Sequence, residues 1–187
     1  MIISAALAIG ILSGCIQRAP SARTRREQWN RGGLAGSVLL RETPSFLKRI
    51  GAVYGDSVEL TGLDLSPQRP KPGDTVRVTY YFRVLEELDE DYKIFAHIDN
   101  RGGGRGERIN GDHWPADGKY PTGVWRRGEV VRDEWTFKVP SYYSGMAIEI
   151  WTGFYQPGKD DRLPLARRND VQQDGQNRAL AVTIPMR

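Results

Sequence analysis

The chain has 187 residues, 27 basic and 23 acidic, a formal net charge of +4 and 39% hydrophobic residues. That length suits one domain with a linker. The basic excess does not describe a nucleic-acid surface, because the part that reads as folded carries no basic face interleaved with aromatics. Residues 16–50 hold Arg18, Arg23, Arg25, Arg26, Arg31, Arg41, Lys48 and Arg49 against Glu27 and Glu42, a net of +6, whereas residues 51–187 come to −2.

Residues 1–14 read as a lipoprotein signal peptide. The apolar run from Met1 is shorter than the roughly 20 residues a spanning helix needs, and it closes on Leu12-Ser13-Gly14-Cys15, the form of a bacterial lipobox. Cys15, the only cysteine, is therefore expected to carry the covalent lipid, with palmitate among its acyl chains. Multiple acyl chains make anchoring effectively permanent. No Lys or Arg precedes Arg18, which is unusual for a signal peptide. Ile16 follows the cysteine where an inner-membrane lipoprotein would carry Asp, so the expected location is the outer membrane, facing the periplasm or the cell surface.

Residues 15–50 read as the lipidated cysteine and a basic tether, whose cations would be drawn to anionic headgroups or simply solvated. Gln17 to Gly36 has no hydrophobic periodicity, and Ser37 to Ile50, interrupted by Pro44, reads as a short docking segment. From residue 51 the pattern is β. Val58 and Leu60 share one parity and Leu63 and Leu65 the other, so a bulge at Thr61-Gly62 is expected to turn all four inward. Lys71-Pro72-Gly73-Asp74 is a turn. Val76, Val78, Tyr80, Phe82 and Val84 then alternate with polar residues, the mark of a strand with one buried face. Further strands follow at Tyr92 to Asp99, at Glu107 to Asn110 after the Arg101 to Gly106 turn, at Val131 to Val139, at Met146 to Tyr155 and at Leu180 to Ile184. Residues 51–187 are thus expected to form an all-β domain, an immunoglobulin-like antiparallel β-sandwich of about seven to eight strands.

One constellation is more specific than its strands. Asp112-His113-Trp114-Pro115, Gly118, Tyr120-Pro121-Thr122, Trp125, Gly128-Glu129-Val130-Val131 and Asp133 stand at its centre. With Lys71-Pro72-Gly73-Asp74, Phe95, His97, Gly153-Phe154-Tyr155 and Arg162-Leu163-Pro164, they make residues 53–186 resemble a known module. It is the periplasmic C-terminal β-sandwich domain of bacterial glycosyltransferases of the dolichyl-phosphate-mannose protein mannosyltransferase type. The resemblance implies an immunoglobulin-like sandwich with an accessory role at the cell surface. It brings no catalytic or ligand residues with it, and a lipid anchor stands where those enzymes have their membrane-spanning catalytic part.

The chemistry-bearing residues are few. His97 reads as a strand residue satisfied by its neighbours. Asp112 and His113 are placed to ligand a metal or to act as acid and base, but the third ligand of a catalytic zinc is not visible in the spacing. Asp99, Asp112, Asp117, Glu129, Asp160 and Asp161 are possible Ca²⁺ ligands without an EF-hand pattern. Asp133 shares a parity with Val131 and Trp135, so it is expected either to be buried and to pin the Tyr120–Trp125 loop by accepting backbone N–H groups, or to face a ligand. Trp114, Tyr120, Trp125, Trp151 and Tyr155 fall in loops or on the parity opposite the core. Together with Asp112, His113 and Asp133 they form the candidate ligand or partner surface. The leading expectation is a non-catalytic envelope protein that binds a protein partner. A carbohydrate-binding module for envelope glycans is the alternative, and a metal-dependent hydrolase built on Asp112 and His113 is the third reading. No metal and no soluble cofactor is assigned.

Overall fold

The computed structural model describes residues 19–102, 108–159, 161–166 and 171–187. The segment read as a signal peptide, Cys15, most of the Arg101 to Gly106 stretch, and Asp160 lie outside them. In chain order the elements are α1 (Ala22–Gln28), β1 (Leu39–Leu40), β2 (Lys48–Tyr54), β3 (Val58–Ser66), β4 (Thr75–Val84), β5 (Lys93–Arg101), β6 (Ile109–Asn110), β7 (Val130–Lys138), β8 (Ala147–Gln156), β9 (Asp161–Arg162) and β10 (Ala179–Pro185). Two five-stranded antiparallel sheets result. One runs β1-β7-β4-β3-β2; the other runs β10-β8-β5-β6, with β9 beside β8.

Alternation builds both inner faces. In β4, Val76, Val78, Tyr80, Phe82 and Val84 are buried while Thr75, Arg77 and Arg83 face water. The register of β3 against β4 shifts between Leu60 and Gly62, which puts Val58, Leu60, Leu63 and Leu65 all inside, as the bulge requires. Gly62 is needed there for another reason: a Cβ would collide with the Phe46 ring, which covers that strand. The sheets meet through aromatic edges, Tyr54 and Phe82 each 5.4 Å from Phe154 between ring centroids.

The N-terminal region departs from the sequence reading. Residues 22–40 are not a free tether but a strap folded onto the sandwich. Ser21 caps α1 by accepting the Thr24 N–H (3.2 Å). After a 3₁₀ turn at Gly32–Leu34, β1 pairs antiparallel with β7, Leu39 opposite Val131. The segment from Ser37 to Ile50 also does more than dock, because Lys48 onward is a full strand, β2, at the edge of the first sheet.

Candidate functional site

β7 is the strand on which the chemistry converges. Its inward parity carries Val131, Asp133, Trp135 and Phe137, so a carboxylate sits in the middle of an apolar row. Asp133 is fully buried, and each of its oxygens is used. Oδ1 accepts the Ala116 N–H and Oδ2 accepts His113 Nε2–H, both at 2.8 Å. His113 in turn donates from Nδ1 to the Gly111 carbonyl at 2.7 Å. Both ring nitrogens face oxygen acceptors, so the ring is held as an imidazolium. Burial pulls its pKa down, but the hydrogen bond and charge of Asp133 and the Gly111 carbonyl outweigh this, and the pKa is raised above 6.5. The ring stacks on Trp135, 5.3 Å between centroids.

This pair fixes a strained turn. Ala116 and Asp117 both have left-handed backbones, at φ 50° and 56°, followed by Gly118 at φ 77°. Successive non-glycine residues in that region are held only where the surroundings impose them. Here Asp133 grips the first N–H of the turn. The loop it pins is therefore 113–118, not the Tyr120–Trp125 stretch expected from the sequence.

The strap closes the other end of the same loop system. Arg26 is 5% exposed and donates from Nε to the Trp125 carbonyl (3.0 Å) and from Nη2 to the Leu88 carbonyl (2.7 Å) and Asp89, with Glu87 on Nη1. Arg31 donates to the Tyr120 hydroxyl and to Glu129, both at 3.1 Å, and to the Val124 carbonyl. Arg25 pairs with Asp91 at 2.7 Å. Three cations of the basic stretch thus neutralise acids of the sandwich, and are not presented to headgroups.

The eight candidate surface residues do not form one surface. Tyr120 and Trp125 are both wholly buried beneath the strap, so they offer nothing to a ligand. The Trp125 indole N–H is used on the Tyr120 carbonyl (2.9 Å). Asp133 is likewise interior. Asp112 turns away from His113 and accepts the Ala96 N–H at 3.1 Å, so the neighbouring acid and imidazole face different sides. Trp151 is 8% exposed with the Arg178 guanidinium 5.2 Å above its ring, and Phe95 beside Tyr155 is covered in the same way by Arg162 at 4.8 Å. Of the five aromatics, Trp114 is the most open, at 39% exposed, and Lys93 lies over its ring. No flat aromatic strip joins them. The carboxylates considered for Ca²⁺ are also dispersed: Asp99 binds Arg108, Glu129 binds Arg31, and Asp117 stands in the exposed turn. Among the described residues no group of three or more His, Cys, Asp or Glu is placed to hold a metal ion.

What the structure brings together instead is a groove of about 760 Å³ beside β7. Gly33, Leu34 and Val38 of the strap form one wall, Ala116 and Lys119 another, and Glu134, Trp135 and Thr136 the edge. The strap residues could not be read from sequence because their apolar members, Leu34 and Val38, have no helical or strand period around them. No protein-family model matches the chain, and no curated protein matches it.

Proposed function

We propose that this chain is a lipid-anchored, non-catalytic β-sandwich of the bacterial cell envelope that binds a protein partner in an envelope assembly. The observation that carries the reading is the outer edge of β7. β1 covers it only at Val130 and Val131, and the groove opens beside Glu134, Trp135 and Thr136. An uncovered strand edge next to a partly apolar groove suits a protein partner. Glycan binding, which wants open aromatic faces, finds Trp125 buried and Trp151 capped. The hydrolase reading finds both nitrogens of His113 committed within the fold.

The finer, immunoglobulin-like assignment is supported by pairing order. β3-β4-β7 over β5-β8-β10 follows the A-B-E and C-F-G arrangement of that sandwich, with β2 added outside it. This also agrees with the resemblance to the glycosyltransferase accessory module. The anchor rests on Leu12-Ser13-Gly14-Cys15, and the outer membrane on Ile16. Among the described residues no helix is long and apolar enough to cross a membrane. Cys15 stands six residues before Ser21, the cap of α1. At no more than about 3.6 Å per residue, the lipid would hold the α1 end of the sandwich within about 20 Å of the bilayer. With the strap folded, that leash replaces the 35-residue tether of the sequence reading.

The test is capture of the acylated chain from solubilised envelope membranes of its own cell. A protein recovered in stoichiometric amount supports the reading. Recovery of glycan alone, or of nothing above background, overturns it. A Cys15→Ser chain should leave the membrane fraction; its retention there would remove the anchor from the proposal.

A further inference from the structure

Backbone parity on β7 separates two sets of polar groups. The N–H of Arg132 points outward and is held by the Val38 carbonyl at 2.7 Å. Residues two, four and six positions on, Glu134, Thr136 and Lys138, therefore present their N–H and C=O groups to the same side. Asp133, Trp135 and Phe137 face β4 instead. Among the described residues the outward groups of Glu134, Thr136 and Lys138 make no hydrogen bond. That is an open edge of five residues, about 17 Å long.

The other edges are limited by different means. On β10 the Leu180 N–H is taken by the Gln172 carbonyl at 2.8 Å, and Pro185 has no N–H to offer. β2 is bordered by the chain after β9, with Gly55 N–H on the Pro164 carbonyl and Ala166 N–H on the Val53 carbonyl, both 2.8 Å. β6 has two residues. On β7 the strap joins the edge only at Val38 and runs along it to Leu40, which leaves the line opposite Glu134 to Lys138 unfilled. The groove occupies that line.

Resting on the reading that the partner is a protein, we infer that β7 takes an extended segment of that partner as an added antiparallel strand opposite Glu134–Lys138. β1 already shows this pairing on the same edge in the same direction. The chemistry of the segment is set by the groups it would face. Opposite Trp135 and Phe137 its side chains turn toward the groove, where Leu34, Val38 and Ala116 favour apolar residues. On the solvent side, Glu134 is balanced by Arg132 (2.5 Å) and Arg77 (3.7 Å). Lys138 has no carboxylate partner among the described residues. An acidic residue opposite Lys138 therefore sets the register, and the segment reads acid, apolar, polar, apolar, polar from its N-terminus.

The experiment uses the full chain, with acetyl-Glu-Val-Thr-Val-Thr-amide as probe and the same peptide carrying Lys in place of Glu as control. Amide hydrogen exchange is read residue by residue at millimolar peptide. The Glu peptide should slow exchange at Glu134, Thr136 and Lys138 at least tenfold at saturation, leave Arg132 unchanged, and bind about threefold more tightly than the Lys peptide. In Lys138→Glu that preference should reverse. Thr136→Pro, which removes the central outward donor, should abolish the slowing at Glu134 and Lys138. If that variant does not fold, the reversal in Lys138→Glu still decides. Unchanged exchange at these three amides, or a preference that Lys138→Glu does not alter, overturns the inference. So does a folded Thr136→Pro chain that still captures the partner from membranes, and that outcome would leave protein binding intact. If the unaltered chain captures only glycan, the protein-binding reading itself fails.

Discussion

Arg26 and Asp133 are both buried charges that order a loop, and they do so in opposite ways. Arg26 reaches up from a seven-residue helix to two backbone carbonyls, and its carboxylate partners stand partly or wholly in water, Asp89 with 82% of its side chain exposed. Asp133 lies inside the sandwich, its partners an N–H and an imidazolium that is itself mostly covered. The first arrangement can open while the two sheets stay paired, uncovering only Tyr120 and Trp125 beneath the strap. The second cannot, since Asp133, Ala116 and Trp135 are buried in the interior and His113 is mostly covered. The strap is thus a local element with its own stability, whereas the Asp133 corner belongs to the global fold.

Asp133→Ala puts the largest strain on that contrast. It leaves His113 Nε2–H and the Ala116 N–H without acceptors, and removing one member of a buried pair costs about 3–5 kcal/mol. Urea unfolding of the whole domain should register it. Asp133→Asn keeps an acceptor for Ala116 and should cost less. If Asp133→Ala leaves the unfolding midpoint in place, the corner is not part of the global fold.

Arg26→Ala comes next. Charge-assisted hydrogen bonds of this kind are worth about 1.5–3 kcal/mol, but the loss should be local. Amides of α1 should exchange faster while those of β4 and β8 do not change. An equal acceleration in β4 would mean that the strap and the core unfold as one unit. Added salt should mimic the variant weakly, since Glu87 and Asp89 are open to screening.

A smaller effect separates the two by pH. His113 has a raised pKa, so the stability it contributes is present in full below 6.5 and is lost as pH rises through the folded value. His97 has the opposite sign. Burial, then Arg108, holds its pKa below 6.5, so its contribution is full above 6.5 and is lost as pH falls through the folded value. His113→Gln should remove the alkaline decline in global stability, and His97→Gln the acid one. Opening of the strap, which Arg26 controls, should stay flat across this window because guanidinium does not titrate there. A strap that loosens with the His113 titration would tie the two regions together.

The same contrast explains what was legible in the sequence. The strands of the sandwich, the bulge after Leu60 and the interior position of Asp133 all follow from period-two parity, which is a local property of consecutive residues. That Asp133 would grip Ala116 was half visible, since a carboxylate on a core parity has to find donors. Its partner loop was not, because sequence does not say which of two adjoining turns reaches back. The strap was invisible. Seven residues of α1 carry no apolar stripe, and an arginine-rich stretch reads as solvated unless the carbonyls that receive it are known. Those belong to Leu88 and Trp125, more than 60 positions away. Tyr120 and Trp125 read as surface residues in the sequence for the same reason: the cover over them is the strap.

The smallest prediction concerns the turn that Asp133 pins. Asp117 is left-handed at φ 56°, and 89% of its side chain is in water, with Lys119 3.9 Å away as its ion-pair partner. An exposed pair of that geometry contributes little, while an L-residue in this backbone region costs about 1–2 kcal/mol that glycine avoids. Glycine also loses about 0.5–1 kcal/mol more conformational freedom on folding. Asp117→Gly should therefore stabilise the domain by up to about 1 kcal/mol, read as a higher urea midpoint with unchanged slope. The gain should appear only while Asp133 holds the turn. In an Asp133→Asn background whose 113–118 loop has loosened, Asp117 is free to leave the left-handed region, and the glycine should then bring nothing or a small loss. Equal gains in the two backgrounds would mean that the turn keeps its shape without Asp133, and that the buried pair orders only His113.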